Sequence, residues 1–290
     1  MSSTESPLVS RIKQLPGSLR VWLGLQPGWE TAHGGDPSPS ARNIYRFLCA
    51  LVKVCFAYFV ANLIADVFIG SSLHRWIVEV LCVSWKAKGC RKEVLIAFRA
   101  GFWAVFSWAL FRRDLKVIYR RLGRRMPWRR AVKLVIVCLL IYTGAYIGIQ
   151  KVMLPDGKLV RKSMSKQAIR IYDIMPRTTQ PACVTAVSRF IIVPLGEELL
   201  YRGAVLVALF YLLGKWPAAI GSSFLFGYGH FDQWGHLEWF PVVCMTLFGL
   251  FSSVILFRSG KIRWCILFHS LHLMHQFLFR VAIPPLGIEF

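Results

Sequence analysis

Two adjacent carboxylates and a guanidinium, Glu197, Glu198 and Arg202, stand in VPLGEELLYRGAV (residues 193–205), otherwise among the most apolar stretches of the sequence. Glutamate can act as a general base on water when its neighbours set its charge. Spacing says which neighbours these are. Glu198 and Arg202 are four residues apart and share a helix face, so they can pair, whereas one helical step turns Glu197 from Glu198 by about 100°. The two carboxylates are therefore expected to have different partners, one held ionised by Arg202 and the other raised by burial. Imidazoles complete the set. His230 lies in SSFLFGYGHF, and His269 opens a series in CILFHSLHLMHQF in which His272 and His275 follow one and two turns on, along one stripe. Ionisable side chains brought by three separate apolar segments point to a functional site.

The elements that hold these groups follow from the whole chain. Of its 290 residues 56% are hydrophobic and only 17% charged, and the mean hydropathy is +0.50. This is too apolar for an ordinary soluble domain and predicts an all-α, polytopic transmembrane bundle of seven or eight helices. An excess of 36 Lys and Arg over 14 Asp and Glu would also suit nucleic acid. The basic clusters, however, lie between hydrophobic runs and no nucleic-acid module is present, so the excess is assigned to cytoplasmic loops and anionic lipid. The eight cysteines make no CxxC pair and mostly fall in apolar runs. They read as small buried hydrophobes, neither a disulfide framework nor a thiolate zinc site.

Three parts succeed one another. Residues 1–43 form a flexible polar N-terminal tail with an interfacial stretch around Val21–Leu25 and no secretory signal. Residues 44–180 hold the N-terminal transmembrane helices, at about 44–70, 94–111 and 132–150, with 75–93 either the end of a span or an interfacial helix. The basic segment 112–130, with nine Arg and Lys, is the strongest topology marker and is expected on the cytoplasmic side. Residues 181–290 form the core that carries the ionisable groups, in apolar segments at about 181–213, 217–231, 239–257 and 262–283. Gly-Lys-Trp-Pro, Trp-Gly-His and Ser-Gly-Lys split these segments.

An ionisable side chain at membrane depth costs on the order of a few kcal/mol, so such groups face the bundle interior and tend to be functional. Gly221, Gly227 and Gly229 near His230 let helices approach closely. Arg189 either pairs with a carboxylate or snorkels. Asp232, Trp234, His236 and Glu238 read as a polar rim at the membrane edge.

Three motifs, in this order, resemble those of a known family. Gly196-Glu197-Glu198-Leu-Leu-Tyr-Arg202-Gly203 looks like an EExxxR motif and Phe226-Gly-Tyr-Gly-His230 like FxxxH. Ser259-Gly260, followed nine residues later by His269, is similar to the third motif. The family is that of the CAAX proteases and bacteriocin-processing enzymes, the CPBP or ABI family of glutamate-type intramembrane proteases, which includes the Ras-converting CAAX endopeptidase. The resemblance covers about residues 181–283. It departs from the usual HxxxN or HxxxD at Leu273, four after His269, where His272 is the neighbour able to supply a polar group.

The resemblance implies an intramembrane endopeptidase cutting a peptide bond near the terminus of a membrane-delivered protein or peptide. It implies Glu197 as general base, Glu198 sharing the water or holding its protons, and Arg202 as the orienting and charge-setting partner. His230 would hold the water or donate a proton, and His269, helped by His272, would polarise the carbonyl oxygen. No cofactor is expected. The alternative is zinc on Glu197, Glu198, His230 and His269, a sufficient donor set that lacks HExxH spacing. Expected partners are membrane lipid and a substrate with a lipidated C-terminus, a leader peptide or a C-terminal sorting tail, and not nucleic acid. The GEELLYRG form is nearer to bacterial members, which places a multi-pass protein in a prokaryotic plasma membrane. The alternative function is a non-proteolytic membrane scaffold or immunity protein of the same fold. Leu273 favours it, and four polar groups in lipid that a scaffold does not need oppose it. A proton-carrying transporter would show a repeat symmetry that the sequence lacks.

Overall fold

Apolar runs rich in Leu, Val, Ile, Phe and Ala, uninterrupted by proline, become three long helices: α1 (Ala41–Gly70), α2 (Lys88–Leu122) and α3 (Trp128–Met153). The computed structural model describes residues 41–71, 88–122, 126–153, 186–231 and 239–282. Among these residues all regular structure is helical. α2 extends beyond the expected span 94–111 at both ends. Its C-terminal extension runs through Arg112, Arg113 and Lys116, because Arg and Lys are good helix formers and a helix can continue outside lipid.

The segment with the two glutamates is one continuous helix, α4, built from four pieces: Ser188–Ile192, Val193–Glu198, Leu199–Val205 and Leu206–Leu213. The first and third are π-helical turns. Pro194 has no N–H to give to the preceding turn, and just before it the Val193 N–H reaches back five residues to the Ser188 carbonyl. The Leu206 N–H does the same to Tyr201. Arg202 therefore lies on a widened turn.

Gly214 (φ 77°) ends α4 and starts α5 (Lys215–Tyr228), and Gly260 (φ 66°) joins α6 (Trp239–Ser259) to α7 (Arg263–Ala282). Both turns fall where Gly-Lys-Trp-Pro and Ser-Gly-Lys were expected to split the apolar segments, and both need the left-handed backbone that glycine adopts without steric cost. Seven helices thus lie among the described residues. Four of them contain a stretch long and apolar enough to cross a membrane: Asn43–Phe68, Val94–Lys116, Trp128–Met153 and Trp239–Ser259. With 14 residues, α5 is shorter. At about 1.5 Å per residue it falls short of a hydrocarbon core of about 30 Å.

α6 is the central helix. Of its most apolar window 61% is buried, against 17% for α1 and α3, whose Phe56, Phe59, Leu63, Leu140 and Ile141 are exposed where lipid would lie. Cys55 shares that exposed surface of α1, unlike the buried Cys138, Cys244 and Cys265 and contrary to the general expectation of burial. The buried aromatic centre contains Phe226, Phe248, Phe268 and Tyr142. α4 packs on α2 at Gly196, where any Cβ would overlap the Ala100 backbone, so the glycine before the two glutamates is a packing requirement. Further along, Asp114 of α2 is 3.3 Å from Lys53 Nζ of α1 and accepts a 2.7 Å hydrogen bond from the Tyr211 hydroxyl of α4. This polar tie links the N-terminal helices to the helix carrying the glutamates.

The tail residues 1–40, the Trp76–Trp85 stretch, the Trp-Gly-His break, and Asp232, Trp234, His236 and Glu238 lie outside the described residues.

Candidate active site

Glu198 and Arg202 occupy successive turns of α4 and their side chains are fully buried, with Arg202 Nε 3.4 Å from Glu198 Oε2. That oxygen also accepts a 2.8 Å hydrogen bond from Ser252 Oγ of α6. Glu198 Oε1 lies 3.1 Å from Nδ1 of His269 on α7. A carboxylate beside a guanidinium only accepts, so His269 Nδ1–H is the donor. Three helices thus meet at one carboxylate.

The His269 ring turns its other edge toward Glu197, with Nε2 3.8 Å from Glu197 Oε2. This is too long for a direct hydrogen bond and is a separation that one water can bridge. Here the structure departs from the expectation of different partners. Arg202 does pair with Glu198, but both carboxylates face His269, because an imidazole carries nitrogens on opposite edges and can meet two side chains about 100° apart on a helix. Burial is also distributed otherwise than expected. Arginine-paired Glu198 is sealed, while the Glu197 side chain keeps 18% of its exposure.

His230 follows the end of α5 in a turn closed by its N–H to the Gly227 carbonyl at 2.9 Å. Its Nδ1 lies 2.8 Å from the Phe226 carbonyl, so Nδ1–H donates and Nε2 is the acceptor of the neutral ring. The Phe226 side chain is the hub. Its fully buried ring meets His230 edge-on at 4.9 Å and His269 at 5.9 Å between centroids, and the guanidinium carbon of Arg202 lies 4.6 Å over it. Glu197 and His230 are half-buried while Glu198 and Arg202 are sealed, so the accessible members of the cluster are Glu197 and His230.

His272 is buried against Tyr142 of α3 at 5.0 Å and Phe248 at 4.9 Å, with its Nε2 2.9 Å from Gln276 Nε2. Phe248 also touches His269, at 4.9 Å, so the two histidines are joined through one ring. Leu273, His275 and Arg189 are half-buried. Sequence reasoning missed Ser252, since a serine in an apolar helix carries no signal of its own.

Zinc would need lone pairs directed at one point. Glu198 instead turns its oxygens to an arginine, a hydroxyl and an imidazole N–H, and His269 commits Nδ1 to Glu198. Among the described residues no three His, Cys, Asp or Glu side chains are grouped to hold a metal ion. Glu198, committed to Arg202, Ser252 and His269, is not placed as a zinc ligand.

Residues 179–274 match the family model described as type II CAAX prenyl endopeptidase Rce1-like. The matched third of the chain runs from before α4 into α7 and contains every residue of the cluster. No curated protein and no solved structure matches the chain. The match and the glutamate cluster inside it, set in a bundle with four helices long and apolar enough to cross a membrane, make this part of the chain similar to a membrane protease of the CAAX type.

Proposed function

We propose that the chain is an intramembrane endopeptidase in which Glu197 activates water and histidines stabilise the oxyanion. The supporting observation is the placement of His269 between a sealed, arginine-paired Glu198 and a partly open Glu197. Glu197 takes a proton from water, and the resulting hydroxide attacks the carbonyl carbon of the substrate. The oxyanion accepts a hydrogen bond from His269 Nε2 in its imidazolium form, held in orientation by Nδ1–H on Glu198. Glu197 then returns its proton to the leaving amine, which leaves one carboxyl and one amine terminus. His230 Nε2 accepts a hydrogen bond from the attacking water and so directs a lone pair at the carbonyl. Arg202 keeps Glu198 ionised as the anchor of His269, and His272 supports the ring from behind through Phe248.

The substrate in this reading is cut near a terminus delivered through the membrane: a lipidated C-terminus, a leader peptide or a C-terminal sorting tail. The GEELLYRG form favours a prokaryotic plasma membrane and hence a prokaryotic substrate. No step runs through a metal, so cleavage in purified membranes is expected to persist within about twofold after a zinc chelator, at the scale where a lost catalytic metal would abolish it. Loss on chelation, restored by zinc, would overturn the metal-free step.

The test of the activity compares protein termini in membranes and medium from cells carrying the native chain or Glu197→Ala at equal levels. Segments left uncleaved only with Glu197→Ala are the expected result and identify the substrate. Identical termini, with the variant still complementing a deletion, would leave a scaffold whose glutamates are structural.

A further inference from the structure

The geometry points to Gly249 and Ser252 of α6 as positioning residues for the Glu198–Arg202 pair, a role that rests on the proteolytic reading above. Apart from its last residue, Ser259, α6 supplies nothing to the three motifs, yet it closes over the pair. Gly249 and Ser252 are three residues apart and share a helix face. A Cβ at Gly249 would stand 2.8 Å from Nη2 of Arg202, and 2.8 Å and 2.9 Å from Cβ and Cα of Ser223 on α5. Relief of the Ser223 contact would have to come from α5 and α6 moving apart, and relief of the Arg202 contact from the guanidinium. It already has the Phe226 ring against its carbon at 4.6 Å, and movement there breaks its approach to Glu198. The missing side chain at Gly249 is therefore the room in which Arg202 keeps its orientation.

Ser252 acts on the other partner. Its hydroxyl donates to Glu198 Oε2 at 2.8 Å, and its carbonyl accepts from Cys265 Sγ at 3.3 Å. Cys265 precedes His269 by four residues, on the same face of α7. One serine thus fixes an oxygen of Glu198 and the height of α7 at which His269 Nδ1 meets the other oxygen. Ser253 Oγ, bonded to the Gly249 carbonyl at 3.0 Å, completes the local α6 network.

The test follows the initial rate at which Glu197-dependent termini appear after pulse labelling in cells expressing each chain, with the thermal midpoint of each purified chain measured in parallel. Gly249→Ala is expected to slow cleavage by about thirtyfold and Arg202→Lys by about tenfold, with the double variant no slower than Gly249→Ala alone. A lysine has no fork for the added methyl to displace. Losses that multiply in the double variant, or a native rate for Gly249→Ala, overturn the role of Gly249. Should Gly249→Ala not fold, Ser252→Ala decides, since it removes one oxygen and adds no bulk. A tenfold or greater loss at an unchanged midpoint supports the positioning role, and a native rate overturns it. If no terminus depends on Glu197 at all, the proteolytic reading has failed, and this inference falls with it.

Discussion

Glu197→Gln is expected to lower the cleavage rate by roughly 10²–10⁴-fold, the contribution of a positioned general base, while the variant folds as stably as the native chain. The amide keeps the size of the carboxylate but cannot take a proton from water. Among the described residues no arginine is shown against Glu197, which remains partly open, so its charge is expected to matter little to the fold. Glu198→Gln differs in kind. Its amide would present an N–H₂ or a weaker carbonyl to Arg202, Ser252 and His269, and the fully buried guanidinium would lose its counter-charge. Both the rate and the thermal midpoint fall. Rates and midpoints measured on the two variants side by side check the assignment, and equal midpoints with equal rate losses would contradict the division of roles.

Arg202→Ala carries the larger cost in stability. Removing one partner of a buried ion pair leaves an uncompensated charge and costs about 3–5 kcal/mol. Glu198 would retain Ser252 and His269 but no fixed cation, and Phe226 would lose the guanidinium over its ring. The expected outcome is a sharply lower yield of folded protein and a thermal midpoint well below that of the native chain. The pair Glu198→Leu with Arg202→Met separates stability from function. Without either charge the bundle is expected to regain most of the lost stability, because apolar replacements of buried ion pairs are often neutral or better. Cleavage would not return, since His269 Nδ1 would have lost its acceptor. Recovery of both together would make the pair a structural knot.

Much of this was legible in the chain because it is local. Hydropathy marked the helices, since a span must be apolar over its whole length. The four-residue spacing of Glu198 and Arg202 predicted their pairing, since a helix places those positions on one face. Gly214 and Gly260 marked the turns that separate α4 from α5 and α6 from α7. The EExxxR, FxxxH and His269 motifs pointed to the family that residues 179–274 match.

What only the tertiary structure decided depends on how the helices are rotated and how closely they approach. That Glu197 and Glu198 face one imidazole could not be read from their offset of about 100°, because it takes a third helix presenting both edges of a ring. Which carboxylate is sealed depends on α6, whose Ser252 and Gly249 look in sequence like any small residues of an apolar helix. The π turns of α4 had Pro194 as their one local cue, and the widened turn at Arg202 had none. Hydrophobic pattern and spacing are properties of one helix at a time. By itself the sequence determined the helices and the side chains they carry, and the packing of α4, α5, α6 and α7 determined which of those side chains meet.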